Sequence, residues 1–248
     1  MNSFITWIGG KKLLRNKIVE MFPKSDIDRY IEVFGGVGWV LFHKDQHAKL
    51  EVFNDVNSNL INLYRCVKYH CEELQKELDW ILISRETFFD YKQQIDTRGL
   101  TDIQRAARFF FIIKASYGAD VRSFGCSKRN LNKSIEYLSE IKERLKNTVI
   151  ENKDFQDLIK VYDREKALFY LDPPYHTTEK YYDNKFTNDD HKRLSEALKN
   201  IKGKFVISYN DDGFVRELYK DFNIYPITRN NSLSTKQKNF DELIITNY

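Results

Sequence analysis

Short apolar runs alternate with stretches of helical period along most of the chain. The apolar runs are rich in β-branched and aromatic residues, and they predict strands at residues 30–34, 50–53, 167–171, 204–208 and 243–246. Apolar positions at helical spacing predict helices at residues 12–22, 59–70, 189–201 and 213–219. Because strands that alternate with helices build mostly parallel sheets, the pattern predicts an α/β fold with helices on both faces of the sheet.

The middle of the chain departs from this alternation, since it contains helical patterns but no convincing strand. The helices are predicted at residues 102–115 and 134–145. Between them, residues 116–133 are polar, basic and interrupted by glycine. We therefore predict a helical insert at residues 71–147 within an α/β domain formed by residues 1–70 and 148–248. Such an insert either recognises a substrate or packs as a lid.

The size and charge of the chain narrow the choice of partner only slightly. Its 248 residues suffice for one sizeable core and a small added domain. The 40 Lys and Arg residues exceed the 36 Asp and Glu residues, which leaves a net charge of +4. This mild excess permits a nucleic-acid partner without demanding one.

Cysteine usage and hydropathy predict a cytoplasmic protein. The three cysteines (Cys66, Cys71 and Cys126) are odd in number and form no CxxC pair, so neither a disulfide framework nor a zinc knuckle is expected. No apolar stretch has the length of a signal peptide or of a membrane span, so no membrane partner is expected.

Two motifs that follow the first two predicted strands suggest a nucleoside-bearing ligand. In the sequence EVFGGVG, Gly36 and Gly38 let the backbone approach a ligand closely, at the predicted beginning of a helix with free N–H groups. Asp55 ends the second strand, where an acid can accept hydrogen bonds from a ribose. The alternatives are a tight turn for the glycines and a helix cap, shared with Asn57 and Ser58, for Asp55.

The segment LDPPY at the end of the strand at residues 167–171 carries the most specific chemistry. Two consecutive prolines cannot continue a central strand, so they fix the backbone at its end. Asp172 and the carbonyl of Pro173 supply hydrogen-bond acceptors, and Tyr175 supplies an aromatic face. This set suits an exocyclic amine of a nucleobase, because two acceptors for its N–H groups draw the nitrogen toward tetrahedral geometry and free its lone pair. An ordinary strand end with a proline stop is the alternative.

A metal site is not expected. His43 and His47 lie four residues apart on a predicted helix, a spacing that can bind a metal, but no third ligand is near in the sequence.

The order of motifs resembles the Dam-type (D12 class) DNA adenine N6-methyltransferases. The motifs are TWIGGK, FGGVG, NDVN, a helical insert, DPPY and the C-terminal segment RNNSLSTKQKNFDELIITNY, which is similar to the family's final β-hairpin. The resemblance implies a Rossmann-like methyltransferase sheet, S-adenosylmethionine as cofactor, no required metal and a helical target-recognition domain. It also implies methyl transfer to adenine N6 in double-stranded DNA after base flipping, with a cognate restriction endonuclease as a further partner.

The resemblance assigns a role to individual residues. The cofactor would be bound by Trp7, Lys11, Phe34, Gly36, Gly38, Asp55, Asp154, Phe155 and Asp172. The target adenine would be handled by Asp172 as acceptor, by the Pro173 carbonyl, by Pro174 and by Tyr175, which would stack on the base. DNA contacts are expected from the basic residues Arg122, Lys128, Arg129, Lys133, Arg229, Lys236 and Lys238.

Two other functions remain open from the residues. Methyltransferases that act on cytosine N4, or on guanine N2 in ribosomal RNA, use similar proline-rich catalytic loops. A catalytically inactive DNA-binding relative is the second alternative. Within the resemblance, Thr6 stands where members that recognise GATC usually carry lysine, which argues against a GATC target.

Overall fold

The structure is a computed structural model that describes residues 1–6, 9–126, 130–177, 186–230 and 239–248. The chain forms two compact units. The first unit comprises Met1–Arg15, Gly36–Gln46 and Asp55–Asn152, and the second comprises Asn16–Gly35, His47–Asn54 and Lys153–Tyr248. The domain boundaries stated from the sequence stay a prediction.

Strands and helices alternate over both ends of the chain. The strands are β1 (Arg29–Glu32), β2 (Leu50–Asn54), β3 (Thr148–Glu151), β4 (Ala167–Leu171), β5 (Lys204–Asn210), β6 (Asn223–Asn230) and β7 (Asn239–Thr246). The α-helices are α1 (Arg15–Glu20), α2 (Ser58–Tyr69), α3 (Cys71–Asp79), α4 (Arg85–Gln94), α5 (Asp102–Ala115), α6 (Asn132–Glu136), α7 (Leu138–Leu145), α8 (Phe155–Tyr162), α9 (Asn188–Lys199) and α10 (Gly213–Leu218).

A mixed sheet lies at the centre of the second unit. Its strands follow the order β2-β1-β4-β5-β7-β6, in which β2, β1, β4 and β5 run parallel and β7 is antiparallel to both β5 and β6. Every residue of β4 is buried, as expected of a central strand. Because the parallel strands end at one edge of the sheet, the segments that follow β1, β4 and β5 meet there.

The core of the second unit forms between this sheet and three helices. Alternate strand residues such as Phe169 and Ile207 pack with Leu158 of α8, Leu194 of α9 and Val215 of α10. The alternation arises because successive side chains of a strand point to opposite faces. The predicted α/β class and Rossmann-like sheet are therefore confirmed.

The first unit is mainly helical. Helix α5 is its most apolar helix, and it begins with a capping box in which the Thr101 and Gln104 side chains each accept from the other's backbone N–H. Within the described part of residues 71–147 the structure contains no strand, only an isolated bridge between Ser116 and Phe124. The predicted helix at residues 102–115 is confirmed, and so is the lack of strands among the described residues of this segment.

The prediction that an α-helix begins at the glycine motif is wrong. Gly36 and Gly38 have φ values of +49° and +69°, in the left-handed region, and therefore cannot begin a right-handed α-helix. Only a short 3-10 helix, Leu41–His43, follows. His43 and His47 consequently do not share a helix.

Other predicted elements differ in their bounds. The helix predicted at residues 134–145 is two helices, α6 and α7, which meet at Tyr137. The helix predicted at residues 12–22 is limited to α1. Strands β3 and β6 and helices α3, α4 and α8 were not among the predicted elements. Among the described residues, no helix is both long and apolar enough to span a membrane.

Candidate functional site

Residues 172–175 leave the buried strand β4 at the edge of the sheet where the parallel strands end. Pro173 is buried, whereas Asp172, Pro174 and Tyr175 are partly exposed. The proline pair ends the strand, since neither proline can donate a backbone hydrogen bond to a neighbouring strand. The segment therefore presents an acid and an aromatic ring at a fixed place beside the sheet.

The carboxylate of Asp172 is oriented by a neighbouring strand. Ser208 of β5 is buried, and its hydroxyl donates a hydrogen bond to Oδ1 of Asp172 at 3.0 Å. The Ser208 oxygen also lies 3.3 Å from the hydroxyl of Tyr170. Because Leu171 is in register with Ile207, Ser208 comes directly beside Asp172.

The ring of Tyr175 is held at its hydroxyl. That hydroxyl donates to Oε2 of Glu242 at 2.7 Å, and the ring lies 6.1 Å from the ring of Tyr209. Burial, followed by the nearby charges of Asp172 and Glu242, raises the pKa of Tyr175 well above its usual value. The phenol therefore stays protonated and acts as a donor.

Three phenylalanines form an aromatic cluster in the second unit. The ring centroids of Phe34, Phe155 and Phe186 are separated by 5.7 Å, 5.8 Å and 5.8 Å. Phe34 follows β1, Phe155 begins α8 and Phe186 precedes α9. Such a cluster offers flat apolar surface of the kind on which an aromatic ligand stacks.

Asp154 and Phe155 share one cationic partner. Asp154 caps α8 by accepting the backbone N–H of Gln156, and its two oxygens each accept from Arg193 at 2.9 Å. The guanidinium of Arg193 also lies 4.2 Å from the centroid of Phe155. This bidentate pair fixes the plane of the carboxylate and places a positive charge on the aromatic face.

In the first unit, Asp55 is bonded to the glycine turn. Its Oδ2 accepts the N–H of Gly36 at 2.9 Å, and its Oδ1 accepts the N–H of Asn57 at 2.8 Å. Asn57 caps α2 through its own side chain. Burial raises the pKa of the Asp55 carboxyl, and the backbone N–H bonds oppose that shift. Asp55 therefore lies beside the glycine turn and also belongs to the group of residues at the beginning of α2, so the structure contains features of both interpretations of this residue.

Lys11 belongs to the first unit and is buried. Its ammonium group donates to the carbonyl of Gly9 at 3.1 Å. Trp7, its predicted companion, lies outside the described residues.

The predicted DNA contacts are only partly described. Arg122 and Lys133 are exposed side chains of the first unit. The backbone of Arg122 is held in place, since its N–H donates to Asp120 and its carbonyl accepts from Lys92. Arg229 lies in β6. Outside the described residues are Lys128, Arg129, Lys236 and Lys238.

The sequence did not indicate four residues that contact the predicted ones, namely Ser208, Glu242, Arg193 and Phe186. The available signal was a polar residue within an apolar strand for Ser208 and an acid at the beginning of an apolar run for Glu242. Arg193 and Phe186 carry no such signal, because charged and aromatic residues are ordinary in amphipathic helices and loops.

The chain is similar to known proteins over nearly its whole length. A family model described as D12 class N6 adenine-specific DNA methyltransferase matches residues 7–233. The Type II methyltransferase M1.LlaDCHI of Lactococcus lactis subsp. cremoris is 30% identical over 100% of this chain and 96% of that protein. The Type II methyltransferase M.MjaIII of Methanocaldococcus jannaschii is 29% identical over 99% of this chain and 98% of that protein. The DNA adenine methylase of Escherichia coli is 24% identical over 98% and 94%.

Proposed function

The chain belongs to the D12 class of N6 adenine-specific DNA methyltransferases, and from that premise we propose how its residues carry out the reaction. Its activity is site-specific methylation of adenine N6 in DNA. We propose S-adenosylmethionine as the methyl donor and double-stranded DNA as the substrate, with the target adenine flipped out of the duplex.

The arrangement of Asp172 and Tyr175 is the observation that carries this proposal. Asp172 accepts one N–H of the target amine and the Pro173 carbonyl accepts the other, while Tyr175 stacks on the base. Methyl transfer would leave the cofactor as its neutral thioether and would put positive charge on the amine nitrogen, whose proton then becomes acidic. Asp172 need not remove that proton beforehand, and would be the adjacent acceptor for its release after transfer. Its role is to position the amine and to stabilise the charge that appears in the transition state.

The residues present fit the cofactor. S-adenosylmethionine supplies an electrophilic methyl group on its sulfonium. In the second unit, the cluster of Phe34, Phe155 and Phe186 offers a stacking surface for the cofactor's adenine, beside the acceptor Asp154. In the first unit, the Asp55 carboxylate accepts two backbone N–H groups and retains lone pairs for ribose hydroxyls. Trp7, Lys11, Gly36 and Gly38 are proposed as further cofactor contacts, and no metal is needed.

Flipping the target adenine out of the duplex costs free energy that DNA binding must supply. Extruding the adenine costs a few kcal/mol, whereas stacking on an aromatic side chain returns about 1–3 kcal/mol. Phosphate contacts supply the rest. We propose these contacts from the helical insert at residues 71–147, through Arg122, Lys128, Arg129 and Lys133, and from the C-terminal segment, through Arg229, Lys236 and Lys238.

Two further proposals concern the setting of the reaction. Relatives named Type II methyltransferases support a cognate restriction endonuclease as a functional partner. A cytoplasmic location agrees with three cysteines that form no disulfide framework.

Product analysis tests the proposed function directly. The full chain is incubated with DNA and labelled S-adenosylmethionine, the DNA is digested, and the methylated nucleoside is identified by mass spectrometry. N6-methyladenine is expected. N4-methylcytosine, or a product on RNA alone, would overturn the substrate, and the absence of any product would favour a DNA-binding relative without catalysis.

The variant Ser208→Ala is expected to lower kcat about tenfold, since a hydrogen bond to a charged group is worth about 1.5–3 kcal/mol. The substitution removes the hydrogen bond from Ser208 and leaves the Asp172 carboxylate itself in place. Single-turnover methylation measures the effect. The matched control is Ser195→Ala, another buried serine whose hydroxyl donates to the carbonyl of Leu218. Equal rates for the two variants would exclude a role of Ser208 in orienting Asp172.

The variant Arg193→Met is expected to weaken cofactor binding about fivefold, equivalent to about 1 kcal/mol for a half-exposed ion pair with a cation–π contact. The change leaves Asp154 without its bidentate partner and removes the charge over Phe155. Calorimetric titration with S-adenosylhomocysteine measures the affinity. As a control, Arg216→Met breaks a comparable bidentate pair with Asp211 and is expected to bind normally. If Arg193→Met binds S-adenosylhomocysteine normally, the Arg193–Asp154 pair has no role in cofactor binding.

A further inference from the structure

A buried acid lies beside the proposed catalytic segment and has no part in the reaction as described above. Glu242 is only 4% exposed, in β7, where it is in register with Asn210 of β5 and Ile227 of β6. The next three residues of β7, Leu243, Ile244 and Ile245, are buried and apolar. Burying an ionised carboxylate is costly unless it is paired or hydrogen-bonded. A purely structural position in this strand would be filled at lower cost by an apolar residue.

Glu242 accepts a hydrogen bond from Tyr175, the residue on which the target base is proposed to stack. The Tyr175 hydroxyl donates to Oε2 of Glu242 at 2.7 Å, a bond that is strengthened by the charge of the acceptor. The two residues are 67 positions apart in the sequence, so this bond joins the catalytic segment to the C-terminal strand. No bond of this kind is needed to end β4, because the prolines already do that.

The Tyr175 ring packs against the apolar core of the second unit, and one of its neighbours there is the ring of Tyr209. The neighbouring ring of Tyr209 is inclined by 32° to it at a centroid distance of 6.1 Å, which is tilted rather than parallel stacking. Tyr209 is itself fixed, since its hydroxyl lies 2.6 Å from Nδ1 of the buried His191. The bond to Glu242 adds a second fixed point, at the far end of the Tyr175 side chain.

We propose that Glu242 is a positioning residue that holds the Tyr175 ring in the plane on which the flipped adenine stacks, an inference that rests on the proposed function. It acts through the phenol hydroxyl and does not touch the base. The protonated state of the phenol agrees with this role, since burial and the neighbouring acids raise the pKa of Tyr175. Glutamine at this position would retain an acceptor oxygen, whereas leucine would not.

Four variants of the full chain test the proposal: Glu242→Leu, Glu242→Gln, Tyr175→Phe and the double variant Tyr175→Phe/Glu242→Leu. Glu242→Leu and Tyr175→Phe are each expected to lower kcat about tenfold, the value of one charge-assisted hydrogen bond. Glu242→Gln is expected to recover most of this loss. The double variant is expected to be no slower than the single ones, because both remove the same bond.

Two further measurements distinguish a loss of ring positioning from a general loss of folding. The affinity for S-adenosylhomocysteine and the thermal midpoint are expected to stay near the wild-type values in Tyr175→Phe. With 2-aminopurine in place of the methylated adenine, the fluorescence change on DNA binding is expected to differ between wild type and Tyr175→Phe. The matched control is Tyr225→Phe, an exposed tyrosine of β6 that is expected to behave as wild type.

The outcomes distinguish this inference from the proposed function. If wild type forms no N6-methyladenine, the proposed function fails. If Tyr175→Ala is fully active, the proposed stacking role of Tyr175 fails, and the inference fails with it. If wild type is active and Tyr175→Ala is impaired, the inference fails when Tyr175→Phe keeps the wild-type kcat and fluorescence. It also fails when the effects of Tyr175→Phe and Glu242→Leu multiply in the double variant. Should Glu242→Leu not fold, Tyr175→Phe alone decides.

Discussion

Replacing Asp172 with alanine is expected to lower the rate of methyl transfer about 10³-fold, the usual loss when a preorganised group at the developing charge is removed. The carboxylate is the acceptor that Ser208 orients at the end of β4. The two prolines after it remain in the variant, so the backbone keeps its path. The measurement is a single-turnover assay with labelled cofactor on DNA that contains the target site.

The controls for Asp172→Ala separate chemistry from binding. Asp172→Asn keeps one acceptor oxygen and is expected to retain more activity than Asp172→Ala. Asp221→Asn changes an exposed acid after α10 and is expected to be fully active. Because Asp172 is also a proposed cofactor contact, calorimetry with S-adenosylhomocysteine is needed beside the rate. A normal rate in Asp172→Ala would move the catalytic role to another residue.

The candidate site could be predicted as far as it is contiguous in the sequence. The segment from Asp172 to Tyr175 holds the proposed catalytic groups in four adjacent residues. The groups that orient it come from strands 36 and 67 positions later, at Ser208 and Glu242. No local pattern connects such distant residues, because their proximity is set by the order of strands in the sheet.

The strands of the sheet were likewise predicted only where their own residues carry a clear pattern. Strand β4 was predicted with its correct bounds, because all its residues are buried and apolar. Strand β6 was not, since Pro226 argues against a strand in its interior. Its place at the end of the strand order explains the tolerance, because an edge strand leaves one row of backbone groups unpaired. Strand β3 has only one fully buried residue and gives little signal.

In the glycine motif, the sequence did not indicate which glycine has the least space for a side chain. The sequence indicated Gly36 and Gly38, and both do adopt left-handed conformations. The position with the least space for a side chain is Gly35, which precedes them. A Cβ atom there would lie 2.4 Å from the ring of Phe53 and 2.8 Å from the carbonyl oxygen of Asn54. The need for glycine at this position arises from tertiary packing and has no sequence signature.

Gly35→Ala is accordingly expected to reduce the free energy of unfolding by about 3 kcal/mol, at the upper end for overpacking. Phe53 is fully buried and cannot move its ring away, and the Gly35 N–H donates to the Asn54 carbonyl at 2.7 Å. The clash therefore forces the end of β1 away from that of β2. Urea unfolding followed by circular dichroism measures the loss. In Gly213→Ala, where a Cβ meets no atom within 4 Å, stability is expected to be unchanged or higher. Equal stability of the two variants would show that the turn can relax around a methyl group.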